Sequence, residues 1–225
     1  MFGLTFLTAT SKTTTHRVVP FRMGNLGIAL AGYLAGGETS SARQDYIDKI
    51  AFSADTKTTL SATLTSAIVE AAGFANSGVA GYVAGGFDGA FHSRIDKVAL
   101  PTDIKSTLSA TLTTSRMRLA GFANSGVAGY AAGGYSGTRI SGIDKVAFSA
   151  DTKTTLSATL TTAVSSLAGF ANSGVAGYAA GGATSGGRVS GIDKIAFSAD
   201  TKTTLSATLT AAIDNLSGFS DSGTL

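Results

Sequence analysis

The sequence predicts an all-β fold, a β-propeller built from a repeated unit of four short strands. The segment GY-x-AGG occurs four times, beginning at residues 32, 81, 129 and 177, so its spacing is 49, 48 and 48 residues. A fixed period of roughly 50 residues is typical of propellers and solenoids. Helical hairpins are disfavoured as the repeat because β-branched Thr and Val recur with Gly every few residues. We therefore predict a single β-propeller domain over residues 1–225.

The third copy shows the strand content of one unit, or blade. Leu156, Ala158 and Leu160 alternate with polar residues, which indicates a half-buried strand. An Asn-Ser-Gly triplet at 124–126 predicts a tight turn, because Asn and Gly adopt positive φ readily. Four short strands in one unit are the content of a propeller blade. The predicted strands are a, residues 119–124 (LAGFAN); b, residues 127–134; c, residues 143–149 (IDKVAFS); and d, residues 154–160 (TTLSATL).

The two ends of the chain each carry part of one further unit. Residues 6–19 (FLTATSKTTTHRVV) align with residues 52–64 (FSADTKTTLSATL), so a degenerate strand c and strand d come first. Residues 216–223 (LSGFSDSG) repeat a strand a and its turn. A blade shared between the termini would close the ring and remove open edges. We predict a five-bladed propeller, with residues 1–28 as closing strands and 29–225 as four near-identical repeats. The alternative is four blades with the N-terminal piece as an extra layer.

A double glycine ends each predicted strand b. We expect these glycines to lie where strands crowd near the propeller axis and a Cβ has no room. Flexible glycine loops are the alternative, and recurrence in register argues against them. The pairs are residues 36 and 37, 85 and 86, 133 and 134, and 181 and 182.

The composition bounds the function. Charged residues make up only 14% of the chain, against roughly 25% in an average soluble domain, and the net charge of +3 gives little reason to expect nucleic-acid binding. The absence of cysteine excludes disulfides and thiolate metal sites. His16 and His92 occupy unrelated positions, so we expect no metal, cofactor or catalytic triad. The N-terminus lacks the basic region of a signal peptide, and no apolar run is long enough to span a bilayer, so we expect a soluble protein made in the cytoplasm.

The pattern GY-x-AGG, a short loop, IDKVAF and residues 107–134 (TLSATLTTSRMRLAGFANSGVAGYAAGG) resembles the kelch repeat. Kelch units also run to about 50 residues, and a double glycine ends their strand b. This chain departs from kelch in having no tryptophan. It is also similar to Gly/Thr/Ala-rich kelch-like arrays that are common in predicted tail-fibre or other virion proteins of aquatic, especially cyanobacterial, bacteriophages.

The resemblance implies a role as well as a fold. It implies a non-enzymatic structural or adhesion protein of a phage virion, with no cofactor. Its expected partners are a host-surface glycan or other virion proteins, with homo-oligomers possible and no membrane insertion. The alternative is a cellular, cytoplasmic kelch-type module, from a cyanobacterium for instance, that docks a protein partner. A glycan-active enzyme is the third and weakest reading.

Strand alternation sorts the connections onto two faces. The a–b and c–d turns share one face, which we call the constant face because it is nearly identical in every copy. The b–c loops and d–a segments share the other, which we call the variable face. Loops do drift faster than strands, but the turns of the constant face are loops too and have not drifted. Divergence confined to one face therefore predicts a binding surface there. The variable face comprises b–c loops 38–46, 87–94, 135–142 and 183–191, and d–a segments 66–71, 115–118, 163–166 and 211–215.

Every b–c loop carries one arginine, and in the first three loops aromatic residues lie close to it in sequence. Arginine binds carboxylate, phosphate or sulfate with a planar fork and stacks on aromatic rings. The alternative is that the arginines are struts to a neighbouring blade or to the aspartates of the IDK motifs at 48, 96, 144 and 193. The predicted ligand-binding residues are Arg43, Tyr46, Phe87, Phe91, Arg94, Arg116, Arg118, Tyr135, Arg139 and Arg188.

Overall fold

Four antiparallel β-sheets follow one another along the chain, and each is formed by one copy of the repeat. The computed structural model describes residues 31–100 and 102–220. These residues contain no helix, which confirms the predicted all-β class. Each sheet is a meander of strands that are consecutive in the chain, apart from a short hairpin inserted into the last one.

The strand bounds follow the repeat closely. Sheet A contains β1 (Ala31–Ala35), β2 (Tyr46–Ala51) and β3 (Thr56–Thr63). Sheet B contains β4 (Ala72–Asn76), β5 (Ala80–Ala84), β6 (Ile95–Ala99) and β7 (Ile104–Thr107). Sheet C contains β8 (Ala120–Asn124), β9 (Ala128–Ala132), β10 (Ile143–Ala147) and β11 (Thr152–Thr155). Sheet D contains β12 (Ala168–Asn172), β13 (Ala176–Ala180), β16 (Ile192–Ala196) and β17 (Thr201–Thr204), with the hairpin β14 (Ala183–Thr184) and β15 (Gly187–Arg188) between its middle strands.

Strands a, b and c lie where the sequence predicts them, with trimmed ends. The Asn-Ser-Gly turn between β8 and β9 brings Asn124 opposite Ala128, and Val127 N donates to Asn124 O at 3.0 Å. Gly126 takes a φ of +80° in this turn, a conformation that costs glycine little. The turn residues predicted from the third copy therefore act as expected.

Strand d is shorter than predicted. In sheet C it covers Thr152–Thr155 rather than residues 154–160. Leu156 N still donates to Ile143 O at 2.9 Å, but Leu160 N donates to Ser141 O in the b–c loop at 2.8 Å. Both leucines are buried. The apolar alternation therefore predicted burial correctly, although the chain leaves the ladder of the sheet after Thr155.

The first strands of successive sheets approach each other backbone to backbone. A Cβ on Gly121 would overlap the carbonyl oxygen of Gly73, and a Cβ on Gly169 would lie 2.5 Å from that of Gly121. Farther from these strands, layers of Phe, Tyr and Leu separate the sheets. The sheets therefore converge at strand a and spread outward, which makes the architecture propeller-like.

Aromatic stacks join the sheets. Between sheets B and C, the ring of Tyr82 stacks with Phe74 at a centroid distance of 5.4 Å and with Phe148 at 5.1 Å. Phe122, Tyr130 and Phe197 repeat the stack between sheets C and D. Two rings come from one sheet and the third from the next, so each stack fixes how neighbouring sheets face each other.

The double glycines are positions that only glycine tolerates. Gly133 has a φ of +65°, and a Cβ there would lie 2.7 Å from Val164 O; Gly134 has a φ of +115°, with Met117 O at 2.9 Å from its Cβ position. The predicted lack of room is therefore present, except at Gly37, where a Cβ would meet nothing within 4 Å. Its cause differs from the prediction, because the crowding atoms belong to the d–a segments, while the glycines where successive sheets converge are those of strand a.

The predicted shared blade lies largely outside the described residues, since residues 6–19 and the turn at 221–223 are not among them. Closure of the ring and the number of blades stay predictions. Within residues 31–100 and 102–220, no helix is long and apolar enough to cross a membrane.

Candidate functional site on the variable face

The b–c loops and d–a segments lie side by side, as strand alternation predicts. Val69 of a d–a segment forms a β-bridge with Phe87 of the next b–c loop, with both N–H···O bonds at 3.0 Å. Met117 and Tyr135 form the same bridge one period later, and Ser165 and Ala183 form it again. The bridges hold each d–a segment against the b–c loop beside it, while the loops themselves differ between copies in side chains and, in the first and fourth copies, by one extra residue.

Four side chains from three sheets form a continuous strip on this face, which we call the aromatic row. The Arg43 guanidinium lies over the Phe87 ring, 5.1 Å from its centroid. Phe87 and Phe91 are 5.4 Å apart and tilted, and Phe91 meets Tyr135 edge to face at 5.9 Å. Arg43 is exposed and the three rings are half-buried. Four of the predicted binding residues are thus brought together, although they are up to 92 positions apart in the chain.

Tight glycine turns position the rings. Phe87 bridges to Phe91 across a loop in which Gly89 has a φ of +124°. Tyr135 bridges to Arg139 across a loop in which Gly137 has a φ of +90°. A loop of this shape sets residues i and i+4 next to each other, so the copy that carries phenylalanine at both positions presents a pair of rings.

A polar cluster anchors the loop that carries Phe87 and Phe91. Asp88 Oδ2 accepts a hydrogen bond from Ser66 Oγ at 3.0 Å and lies 2.7 Å from His92 Nε2. Arg94 Nη1 donates to His92 Nδ1 at 3.0 Å, and Arg94 Nη2 donates to Ser66 Oγ. Since an arginine can only donate, these contacts place the proton of a neutral His92 on Nε2, where it faces the carboxylate.

The cluster holds Asp88 ionised. Burial alone would raise the pKa of this carboxyl, but hydrogen bonds from His92, from the backbone N–H of Ala90 and from Ser66 outweigh burial and lower the pKa to about 2. The Ser66 hydroxyl is bonded to the carboxylate and not to an imidazole nitrogen, so it lacks the adjacent base that activates a serine nucleophile. The arrangement rigidifies the loop beneath the aromatic row.

Three further arginines pair within the fold. Arg118 Nε donates to Glu70 Oε2 at 2.9 Å across neighbouring sheets, and Arg188 Nε donates to Asp214 Oδ1 at 2.6 Å. Arg94 belongs to the polar cluster. These pairs match the strut alternative for those side chains, although Arg118 and Arg188 keep substantial exposed surface, 44% and 62% of the side chain.

The prediction that Arg116 is a ligand-binding residue of the variable face is wrong. Its side chain is buried, and its Nη2 lies 3.0 Å from Ala131 O and 3.1 Å from Asp144 Oδ2. It occupies the core position that Ile68 and Val164 hold in other copies. Because burial opposes a charge, it lowers the pKa of Arg116, and the nearby Asp144 carboxylate acts against that shift. Arg116 is therefore withdrawn from the candidate surface.

Two predicted residues are not members of the aromatic row, although one of them adjoins it. Tyr46 begins β2, pairs with Thr63 across the sheet and is 38% exposed. Arg139 is half-buried beside Tyr135. Sequence reasoning missed the polar cluster, and the missed residues are Ser66, Asp88 and His92. The signal was there, because only the second b–c loop carries an aspartate four residues before a histidine, the spacing that this type of loop sets side by side.

No protein-family model matches this chain. A search of curated protein sequences finds no match either. In the part of the chain that the structure describes, no group of three His, Asp or Glu side chains could hold a metal ion. The kelch resemblance and the virion role stay proposals.

Proposed function

We propose that this chain is a non-enzymatic structural and adhesion protein of a phage virion, a kelch-like propeller whose variable face binds a host-surface glycan or another virion protein. The observation that carries the proposal is the aromatic row, which crosses the b–c loops of three sheets. Side chains from copies that are otherwise near-identical have diverged here, and on this face they form a joined strip of aromatic and cationic groups.

The chemistry of the row suits a glycan. Aromatic rings bury much apolar surface with few rotatable bonds, so they present flat platforms to the apolar faces of sugar rings. The Arg43 guanidinium adds planar donors that match a carboxylate or sulfate, and it is already held over Phe87. Because the loop beneath is already anchored, little side-chain conformational entropy is lost on binding. We therefore favour an anionic glycan as the ligand of the row.

The same proposal includes closure by a fifth blade. Beyond sheet D, Asn215 N donates to Ser166 O at 2.9 Å, repeating the bond that Ser166 N makes to Arg118 O at 2.8 Å. A Cβ on Gly218 would lie 2.8 Å from Gly169 O, so residues 216–220 pack where a further strand a would start. These contacts support a chain that has begun another unit after its fourth sheet.

The outer faces of the first and last sheets support it as well. Phe170 and Tyr178 of sheet D stack at 5.1 Å, but the described residues supply no third ring. In sheet A, Phe52 occupies the position of that third ring and is 54% exposed. We propose that residues 6–19 and 216–220 fill the gap between the two sheets, with Phe6, the counterpart of Phe52, completing the stack on Tyr178.

Two experiments test the role. A glycan array probed with the purified protein should give binding to a restricted set of acidic glycans, and the binding should weaken with salt because screening acts on exposed charges. Mass spectrometry of purified virions that carry the gene should detect the protein. A protein that binds no glycan and is absent from virions, but retains a cellular protein partner, would favour the cellular interaction module instead.

A further inference from the structure

A cleft of about 480 Å³ lies between sheets C and D. Thr162 and Val164, in the connection from β11 to β12, line one side of it, and Gly191 of the b–c loop and Asp193 of β16 line the other. The equivalent places between the preceding sheets are not empty in the same way, and what fills them indicates what this cleft accepts.

Between sheets B and C, the corresponding place holds the buried side chain of Arg116. Its guanidinium bonds Asp144 Oδ2 at 3.1 Å and Ala131 O at 3.0 Å. One period later, the counterparts of these two acceptors are Asp193 and Ala179, and both line the cleft.

Between sheets A and B, a guanidinium enters from a different position in the repeat. Arg94 stands where Gly191 stands in sheet D. Its Nη2 bonds Ser66, which is the counterpart of Thr162 on the wall of the cleft. Arginines thus enter this region at two of the junctions between described sheets, Arg116 through the carboxylate of the IDK motif and Arg94 through Ser66 and His92.

The carboxylate in the cleft has every contact of its counterpart except the arginine. Asp193 accepts hydrogen bonds from Thr161 N at 2.7 Å, Thr161 Oγ1 at 2.6 Å and Thr204 Oγ1 at 2.8 Å. Asp144 accepts the same three bonds at 2.9, 2.7 and 2.9 Å. A lysine Nζ lies 3.7 Å from each carboxylate. The contact that Arg116 makes to Asp144 is the one that Asp193 lacks.

We propose that this cleft is a binding site for a guanidinium group that comes from outside the chain, either a small alkylguanidinium or the arginine side chain of a partner. Val164 and Gly191 are small, and they leave open the space that Arg116 and Arg94 fill elsewhere. Arg188 lines the cleft, but its charge is paired with Asp214 at 2.6 Å. The acceptors for a guanidinium are the counterparts of those that Arg116 uses: Asp193 Oδ2, which already accepts one hydrogen bond from Thr161 N, and the Ala179 carbonyl of β13.

The test is a titration of the full-length protein with methylguanidinium, followed by NMR or calorimetry, with N-methylurea as a neutral probe of similar shape. Methylguanidinium should bind at millimolar concentration and N-methylurea at least about tenfold more weakly, the factor that a hydrogen bond to a charged group contributes. Equal binding of the two probes, or no binding of methylguanidinium, would overturn the proposal.

Variants locate the site. Val164→Arg places a guanidinium in the cleft as Arg116 does, and it should abolish binding. Gly191→Arg, which copies Arg94, serves the same purpose if Val164→Arg fails to fold. Arg116→Val should open a second, equivalent site between sheets B and C. Unchanged binding in a folded cleft-filling variant would place the bound probe elsewhere and contradict the proposal.

A tripeptide Gly-Arg-Gly distinguishes the two sources. If it binds at least as tightly as methylguanidinium, an arginine of a partner protein is the natural occupant. If the peptide is excluded while methylguanidinium binds, the occupant is a small molecule. The cleft and the aromatic row share no residue, so failure of one site leaves the other untouched.

Discussion

Lys97 of sheet B donates to Asp151 of sheet C, with Nζ 2.6 Å from Oδ2, and the Tyr82 hydroxyl donates to the other oxygen of the same carboxylate at 3.0 Å. The same three-residue contact recurs between sheets A and B and between sheets C and D. Burial, followed by the hydrogen bond to Asp151, raises the pKa of Tyr82, so the phenol stays protonated as a donor. The recurring contacts are Tyr33 and Lys49 with Asp103, and Tyr130 and Lys145 with Asp200.

This contact between sheets predicts that two aspartates in equivalent c–d turns of different copies contribute differently to stability. Asp151 and Asp55 both have a φ of +51°, but among the described residues only Asp151 has side-chain partners, Tyr82 and Lys97. Asp151→Ala should lower the free energy of unfolding by about 2 kcal/mol, because Tyr82 and Lys97 each lose an acceptor. Asp55→Ala carries the same backbone strain and should cost about 1 kcal/mol less. Urea denaturation measures both, and equal losses would show that the contact across the sheets contributes nothing.

The glycine at the end of strand b offers a second matched comparison. Gly133 and Gly137 both have positive φ, but a Cβ at Gly133 meets Val164 O at 2.7 Å, whereas one at Gly137 meets nothing within 4 Å. Gly137→Ala should cost about 1 kcal/mol, for the backbone strain alone. Gly133→Ala should cost about 3 kcal/mol or more, since strain and overlap add. Thermal unfolding that shows the same loss for both would mean that the d–a segment moves aside freely.

Closure by the chain ends predicts a role for one N-terminal ring. Phe6→Ala should destabilise the protein by about 3 kcal/mol if Phe6 completes the stack on Phe170 and Tyr178, the cost of emptying a buried phenylalanine site. Val127→Ala is the control and should cost under about 1 kcal/mol, because that side chain is 53% exposed. Deletion of residues 1–19 should expose sheet edges and cause aggregation. A truncated protein that stays monomeric with unchanged melting would contradict the shared blade.

The Asp88 cluster predicts a pH dependence of known sign. The pKa of Asp88 is lowered to about 2, so its folded form binds protons less readily than the unfolded chain does. The stabilisation is complete above about pH 4, the ordinary range of an aspartate, and it is lost as the pH falls toward 2. The free energy of unfolding of the protein and of Asp88→Asn should be measured between about pH 7 and about pH 2, which brackets that range. The two values should converge as the pH falls. A difference in the free energy of unfolding that stays constant with pH would show that these hydrogen bonds do not stabilise the ionised form of Asp88.

Much of the fold was predictable because the same turn residues recur at the same spacing in all four copies of the repeat. Gly126 and its counterparts mark each a–b turn, and the period marks each sheet. The limit of strand d was not predictable, since Leu156 and Leu160 face inward whether or not the backbone stays in the ladder. The axis-side glycines of strand a, such as Gly121, look like ordinary strand glycines until the neighbouring sheet is placed against them.

The candidate site was predictable only in part. Arg43, Phe87, Phe91 and Tyr135 were found because the b–c loops diverge while the opposite turns do not. The prediction that Arg116 is a surface residue was wrong. Its position holds isoleucine or valine in other copies, and the repeated backbone directs the side chain into the core whatever its type. The hydrogen bond from Ser66 to Asp88 joins two segments that are distant in the chain, so neither segment alone carries a sequence pattern that predicts it.

Binding of the ligand by the aromatic row can be tested by comparing two single variants. Phe91→Ala removes the ring between Phe87 and Tyr135, while Val127→Ala removes a side chain that is 53% exposed on the constant face. With a glycan found on the array, calorimetry should show binding weakened at least about tenfold in Phe91→Ala, the loss expected of a central aromatic contact. Val127→Ala should bind normally. Normal binding by folded Phe91→Ala, or equal weakening in both variants, would contradict the assignment of the variable face.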